Sequence, residues 1–299
     1  MPSLFNGYLI IDWSANSTPK TGKDSIWWCH IAWDEGVPVI IDVQNPATRK
    51  QALQQIKDIL LHYKDTGQRL LVGFDFAYGY PAGFAHAIAL GASPPWLAVW
   101  RYLYEHVQDS LHNANNRFEV AASMNQMLSG GAAPFWGCPR QKSNNLLSMC
   151  QPRGGPANLF KEFRLAEQGN NTHSVWKLSY SGAVGSQVLM GLPYVYALRT
   201  DPELEAISRV WPFDTGLKQL QQDDMQGPCI IHAEIYPSLI KTTATVDEVK
   251  DKLQVVGLAG YFAGLDQKQR LGELFAGHRP VTDRERQIIE REEGWILGL

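Results

Sequence analysis

Four acidic side chains stand in apolar surroundings in the sequence, where an unpaired carboxylate is costly to bury. Asp12, Asp75 and Glu234 lie within or at the end of the apolar runs LIIDW, LVGFDF and CIIHAEIYP, and Asp251 lies in a helical pattern. An isolated buried carboxylate takes up a proton rather than ionise. The set therefore predicts a compensating cation, and oxygen ligands favour Mg²⁺ or Mn²⁺ over zinc. For any one of these acids taken singly, a salt bridge or a backbone-capping contact is the alternative.

Two such ions, roughly 3.5–4 Å apart, would activate a water and stabilise the leaving oxygen in phosphodiester cleavage. This chemistry makes the four acids candidate catalytic residues and candidate metal ligands. His232 alternates with Glu234 on one strand, so both side chains point to the same face and His232 is a candidate base. A buried structural histidine is the other interpretation.

Several residues are candidates for binding a phosphate group. The segment GAVGSQ, which contains Gly182, Gly185 and Ser186, runs into a helix whose first amides could hold an anion, although glycine turns before helices are common. Ser14 follows Asp12 closely and could donate to the same anion or cap a turn.

A loop-rich stretch from 139 to 177 carries a local excess of basic residues. Its cations are Arg140, Lys142, Arg153, Lys161, Arg164 and Lys177, against Glu162 and Glu167. The stretch is either an ordinary solvated loop or a lip that contacts phosphates beside the site; in the second case Arg140 and Lys142 are substrate-binding residues.

The elements that must position these side chains follow an α/β plan. Three apolar strands, the second and third joined by the turn Asp34-Glu35-Gly36, predict an antiparallel meander. A helix over 47–63 and the strand RLLVGF follow. A right-handed crossover would make this fourth strand parallel to the first, which places Asp12 and Asp75 at the same edge of the sheet.

The rest of the chain is predicted to form an insertion and then further strands and helices of the α/β core. Residues 77–173 predict a helical and loop insertion with helices over 94–111 and 117–128. Beyond it, the pattern predicts a strand over 174–180, a helix over 186–198, a strand carrying Glu234 and a helix over 246–265. The capping box Thr282-Asp283-Arg284-Glu285 begins a last helix.

Composition limits the class of protein. The 299 residues are 44% hydrophobic and 19% charged, which is typical of a globular chain. The net charge of −3 excludes a strongly basic nucleic-acid coat protein and fits a short, single-stranded or small phosphorylated substrate better than long duplex DNA. Four isolated cysteines and no leader pattern predict a cytoplasmic protein, and glycines and prolines interrupt the uncharged stretches, so no membrane association is expected.

The segments IIDWSA, DSIW, VGFDFAYGYP and HAEIYPS resemble a group of predicted nucleases with the ribonuclease H-like fold, related to the family catalogued as domain of unknown function 429. The later segments FWGCP, VWKLSYSGAVGSQVLMGLP, EVKDKLQV and EEGWILG are similar to one bacterial branch of that group. The resemblance spans nearly the whole chain. It implies a single domain over 1–299: a mixed sheet with an antiparallel meander, a parallel fourth strand and a later strand, flanked by helices.

The resemblance also implies roles for individual residues. Asp12 matches the essential acid of the first strand, Asp75 the second acid, and Asp251 the acid of a late helix, with Glu234 as the remaining acid. Lys250 and Gln254 lie one helical step from Asp251 and are counted with the substrate-binding residues. Many relatives of the wider fold have a second aspartate where Gln254 stands, and its loss would weaken one of two metal sites.

Two other functions stay open at this point. The segment from Asp12 to Ser17 loosely resembles the first phosphate loop of actin-like and sugar-kinase-like ATPases, which would make the chain a nucleotide-binding ATPase or phosphotransferase. A non-catalytic binding protein that keeps the acids as a structural metal site is the third. The favoured interpretation is a metal-dependent hydrolase, a predicted nuclease, whose partner is a nucleic acid or a small phosphorylated substrate.

Overall fold

The computed structural model of the chain describes residues 3–88, 94–153, 159–169, 172–240 and 248–299. Its strands are β1 (Gly7–Asp12), β2 (Trp27–Asp34), β3 (Val37–Gln44), β4 (Arg69–Phe74), β5 (Ser208–Val210) and β6 (Cys229–Glu234). Its α-helices are α1 (Arg49–Asp65), α2 (Phe84–Ala87), α3 (Pro95–His106), α4 (Arg117–Ser129), α5 (Gly185–Arg199), α6 (Lys250–Gln267) and α7 (Asp283–Ile288).

The strands form one mixed sheet in the order β3-β2-β1-β4-β6-β5. The first three strands are antiparallel, and β4 pairs in parallel with β1 and with β6, so the predicted meander and the predicted parallel fourth strand are confirmed. Glu35 and Gly36 both have positive φ angles, the backbone of a two-residue hairpin turn. The parallel half brings the carboxyl ends of β1, β4 and β6 to one edge.

Each face of the sheet packs against its own set of helices. Leu9, Ile11 and Phe74 point to the face covered by α1, α3, α4 and α5. Tyr8 and Ile10 point to the opposite face, which α6 and residues 289–297 cover. The alternation of side chains along each strand therefore decides which of the two cores a residue joins.

The helices begin and end close to the predicted positions. Thr48 caps α1 by accepting a hydrogen bond from the Gln51 backbone N–H, and the capping box at Thr282 and Glu285 is present at the start of α7. Both helices predicted within 77–173 form, as α3 and α4. The helix predicted over 246–265 is observed as Lys250–Gln267, and its first two predicted residues lie outside the described ranges.

Two elements differ from the prediction. Residues 174–180 do not form a strand: Val175, Trp176 and Leu178 are buried in a core of aromatic rings, among them Phe135. Their apolar character is explained by that packing and needs no ladder of hydrogen bonds. The three-residue strand β5, which pairs with β6, is too short to leave a pattern in the sequence.

Within the ranges described, no helix is both long and apolar enough to cross a membrane.

Candidate functional site

Two aspartates meet where β1 and β4 end. Ile11 pairs with Phe74 across the parallel ladder, so the residues that follow them, Asp12 and Asp75, lie side by side and point to the face that α6 covers. The Trp13 N–H donates to the Asp75 carboxylate at 2.7 Å. Burial, with the nearby charges of Asp75 and Asp251, raises the pKa of Asp12 well above its usual range. Burial also raises the pKa of Asp75 to about 7.

Asp251, in the first turn of α6, lines the same cleft as these two aspartates. The cleft has a volume of about 680 Å³ and also contains Lys250 and Gln254. One oxygen of Asp251 accepts the Asp24 backbone N–H at 2.7 Å, which ties the start of α6 to the loop between β1 and β2. Three of the four predicted acids are thus brought together by chain segments far apart in sequence.

Glu234 does not join them, which corrects the sequence-based prediction. It pairs with Phe74 across the β4–β6 ladder and so belongs to the same row as Ile11, one residue before Asp12. Because successive side chains alternate between the faces of a sheet, Glu234 points to the face opposite that of Asp12.

Glu234 is instead neutralised within the protein. Its two carboxylate oxygens accept bonds from the Arg164 guanidinium at 2.6 and 2.8 Å, and one of them also accepts the Tyr78 N–H at 2.9 Å. Burial raises the pKa of Glu234, while Arg164 acts in the opposite direction and holds the carboxylate ionised. Arg164 also binds Glu167 and the Glu293 carbonyl. The pair is a buried structural ion pair on the face of the sheet opposite Asp12, so the Glu234 carboxylate is not available to a metal in the cleft.

The loop that follows Asp12 is held by a buried arginine that the sequence analysis missed. Arg49 donates to the carbonyls of Ser14 and Asn16 at 2.9 and 2.8 Å. It also makes two hydrogen bonds to Asp109, at 2.6 and 2.8 Å, and Tyr194 donates to the same carboxylate. These partners of Arg49 lie 33 to 60 residues away from it in the sequence, so no local motif indicates the contact.

We expect Arg49→Lys to lower the free energy of unfolding by about 2 kcal/mol, because an ammonium cannot reproduce the guanidinium's bidentate bond to Asp109 or hold both loop carbonyls. Urea denaturation measures the loss, and hydrogen exchange should show faster exchange in residues 13–17. Arg101→Lys, at an exposed position on α3, is the matched control. Equal stability and unchanged exchange in the Arg49 variant would contradict this role.

The predicted phosphate-binding residues divide into two groups. Ser14, Gly182 and Ser186 line the cleft, but Gly185 does not. The Gly185 N–H already donates to the Lys177 carbonyl at 2.9 Å, and a Cβ at Gly185 would lie 2.3 Å from the Val175 carbonyl oxygen. Gly185 is therefore a close-packing position, and the prediction that its amide binds substrate is wrong.

Arg117 is a cleft residue that the sequence analysis did not identify. Its guanidinium donates to Ser186 at 2.9 Å, to Ser17 at 2.9 Å and to Asn115 at 2.8 Å. The arginine therefore bridges the loop after β1, the start of α4 and the start of α5. Burial, with the charge of Arg49, lowers the pKa of Arg117 to about 10, so it remains a cation at neutral pH. No sequence pattern indicates this role, because an arginine in the first turn of a helix is common.

The basic stretch does not act as a unit. Arg164 is buried in the ion pair with Glu234, and Lys142 binds Glu119. Lys177 donates to the Ser181 carbonyl and lies over the Trp136 ring. Arg140 is exposed, but neither it nor Lys142 lines the cleft with the aspartates. Residues 154–158 and 170–171 of this stretch lie outside the described residues.

His232 is a core residue rather than a base at the site. It shares the face of Glu234, is fully buried and makes a long contact of 3.4 Å with Ser208. Burial and the charge of Arg199 lower the pKa of His232 to about 3, which keeps the imidazole neutral.

The donor set of the cleft fits a hard divalent cation. Asp12 and Asp75 offer oxygen ligands side by side, and burial raises both pKa values with no cation of the described residues paired to either carboxyl group. Among the residues whose placement is described, no group of three His, Cys, Asp or Glu side chains forms a ready-made metal site. Asp251 faces the same cleft with one oxygen bonded to Asp24. A Mg²⁺ or Mn²⁺ site therefore stays a prediction.

A second cleft, of about 340 Å³, lies near the start of β6 and carries no comparable group. Of its charged side chains, Lys218 pairs with Asp224 and Asp214 with Arg199, while Arg209 donates to the carbonyls of Ala206 and Ser208. Of these two clefts, the one at the aspartates combines the Asp12–Asp75 pair with the cations of Arg117 and Lys250.

Comparisons of the chain with protein-family models, with curated proteins and with solved structures found no match.

Proposed function

We propose that this protein is a metal-dependent phosphodiesterase, a nuclease of the ribonuclease H-like class. The mixed sheet, with an antiparallel meander followed by parallel strands, is compatible with that fold. The observation that carries the proposal is the contact of Asp12 with Asp75 at the carboxyl ends of adjacent parallel strands, opposite Asp251 on α6. Open α/β sheets bind their ligands at this edge.

The residues of the cleft have distinct parts in the proposed reaction. Asp12 and Asp75 would hold the cation, and the Trp13 N–H keeps the Asp75 carboxylate in place. A divalent cation in such a site supplies positive charge that activates water and stabilises the leaving oxygen. Arg117 and Lys250 supply the positive charge for the non-bridging phosphate oxygens, and Ser14 donates to them from the loop that Arg49 holds.

Among the described residues, the cleft is lined by the carboxyl groups of Asp12, Asp24, Asp75 and Asp251 and by the cations of Arg117 and Lys250. A bound cation would hold Asp12 and Asp75 ionised and would stand between their oxygens and the negatively charged phosphodiester. Substrate binding should therefore depend on the metal. A site built from basic residues alone would bind the substrate without a metal.

The test is a cleavage screen with Mg²⁺ and Mn²⁺ over single-stranded, duplex, branched and hybrid nucleic acids. The expected result is hydrolysis of at least one class that stops when the metal is chelated. Hydrolysis that continues in chelator would overturn the metal mechanism. The absence of cleavage across the screen, together with retained metal binding, would favour a non-catalytic protein.

Metal binding should strengthen as the pH rises through about 7. Because the folded pKa of Asp75 is about 7, above its ordinary value near 4, the metal-free protein holds a proton there that the cation must displace. For the same reason the metal-free protein is stabilised at low pH and loses that stabilisation as the pH rises from about 4 to 7. Melting temperatures with and without Mn²⁺ from pH 5 to 8.5 measure both effects. A metal-induced shift independent of pH would contradict the assignment of Asp75.

One observation favours the nucleotide-binding alternative. Ser14, in the loop after β1, and Gly182, in the turn before α5, line the same cleft, as two phosphate loops would. The use of the Gly185 amide by Lys177 weighs against a second phosphate loop. A rise in melting temperature with ATP and Mg²⁺, with release of phosphate, would support an ATPase, whereas hydrolysis of nucleic acid alone supports the phosphodiesterase.

A further inference from the structure

Tyr180 lies at the rim of the aspartate cleft with its side chain 60% exposed. Its φ angle is +71°, a left-handed conformation that is uncommon for a residue other than glycine. Strained backbone of this kind persists where the surrounding structure enforces it, and it is concentrated at ligand sites. Tyr180 therefore combines an uncommon backbone conformation with an exposed ring at the edge of the cleft.

The turn around Tyr180 is built to hold it in that position. The Ala183 N–H donates to the Tyr180 carbonyl at 3.1 Å, and the Lys177 ammonium donates to the Ser181 carbonyl. The Tyr180 hydroxyl donates to the Cys138 carbonyl at 3.3 Å. The ring is thus fixed at its backbone and at its hydroxyl.

In their contacts with aromatic rings, the two faces of the Tyr180 ring differ from those of another exposed tyrosine, Tyr104. Within the described part of the chain, no aromatic ring and no cation packs against Tyr180, whereas the exposed Tyr104 packs against Tyr196 with ring centroids 5.0 Å apart. Of the tryptophans near the start of the chain, Trp13 and Trp28 are buried, whereas Trp27 and Trp33 are half-buried and donate their indole N–H groups to the carbonyls of Gly22 and Phe5. Tyr180 is a fixed, open aromatic face beside the acids.

We infer that Tyr180 is a stacking platform for an unpaired base and that the substrate is a single-stranded nucleic acid. This inference rests on the proposed phosphodiesterase function. A base in a duplex is stacked on its neighbours and cannot reach the ring, whereas an unpaired base can stack on an aromatic side chain. With Arg117 and Lys250 in the cleft for the phosphate, the geometry supplies one contact for the base and two for the backbone.

The test measures equilibrium binding by fluorescence anisotropy in the otherwise unaltered background protein with Ca²⁺ in place of Mg²⁺, which keeps the Asp12 carboxylate and separates binding from cleavage. The probes are labelled eight-residue oligomers of thymidine and of uridine, an abasic oligomer with the same number of phosphates, and a blunt hairpin duplex. The variants are Tyr180→Gly, Tyr180→Phe and, as a matched control, Tyr104→Ala.

Tyr180→Gly should weaken binding of the base-bearing single strands roughly 5- to 150-fold, the usual value of one base–aromatic stack, and leave the abasic oligomer unaffected. Its melting temperature should be equal or higher, because glycine adopts φ +71° without strain. Tyr180→Phe and Tyr104→Ala should bind within about twofold of the background protein.

Equal losses for the abasic and the base-bearing strands, or no loss at all, would overturn the stacking role, as would preferred binding of the duplex. The two proposals fail separately. Metal-dependent hydrolysis that is lost in Asp12→Asn but unaffected in Tyr180→Gly keeps the phosphodiesterase and overturns stacking. Tyr180-dependent binding of single strands by a protein that cleaves nothing keeps the stacking role and overturns the phosphodiesterase.

Discussion

Replacing Asp12 with asparagine is expected to lower metal-dependent phosphodiester hydrolysis by about 10³-fold or more, because the variant keeps the shape of the side chain but removes a charge that the cation requires. The fold should be retained. The melting temperature of the metal-free protein should rise, since Asp75 no longer faces a second carboxylate. Initial rates on the best substrate of the cleavage screen, with Mg²⁺ and with Mn²⁺, measure the effect.

Asp65→Asn is the matched control, because Asp65 is an exposed aspartate at the end of α1 and does not line the cleft. It should hydrolyse substrate at the rate of the unaltered protein. An Asp12→Asn variant with full metal-dependent activity would place the reaction elsewhere. Loss of activity accompanied by unfolding would instead identify Asp12 as a structural residue.

Replacing Arg164 with methionine should lower the free energy of unfolding by about 3–5 kcal/mol, because it leaves the buried Glu234 carboxylate without its cation. The Glu167 carboxylate loses the same partner. Chemical denaturation measures this loss. Lys161→Met, three residues earlier and exposed, changes the same charge and should cost little.

The companion variant Glu234→Gln separates a structural role from a catalytic one. Because Glu234 points away from the aspartate cleft, we expect the variant to be less stable but to keep its rate of hydrolysis at temperatures where it is folded. A variant of normal stability that has lost activity would return Glu234 to the catalytic set.

The first half of the sheet could be predicted because its signals are local. Each of these signals is contained in a stretch of a few residues. They are a carboxylate at the end of an apolar strand, a two-residue turn with glycine and a helix with a capping residue. The helix between β3 and β4 then carries the chain back to the start of the sheet, so that β4 runs parallel to β1. The proximity of Asp12 to Asp75 follows from that topology, and the structure places the two side by side.

Glu234 was mispredicted because residue type alone does not tell which face of a sheet a side chain takes. The register between β1, β4 and β6 sets the face, and a difference of one residue reverses it. Its true partner, Arg164, is 70 residues away in a loop. The basic character of that loop was visible in the sequence, but its burial was not.

Arg49 and Arg117 were missed for a related reason. Each stands at or near the start of a helix, where an arginine is ordinary, and each gains its importance from backbone or hydroxyl groups supplied by distant segments. Tyr180 was not recognised as a candidate site residue because it is the last residue of the strand predicted over 174–180. Its left-handed φ angle depends on a turn held by Lys177 and is not encoded in the residue itself.

The buried Arg164 pair has a consequence for synthesis on the ribosome. The last bonds around it come late in the chain: Glu293 accepts from Arg164 and Leu165, and the Leu297 N–H donates to the Glu234 carbonyl. A nascent chain that lacks residues 293–297 cannot complete this core. Until those residues leave the exit tunnel, part of the apolar face of the sheet that they cover stays exposed, which favours aggregation.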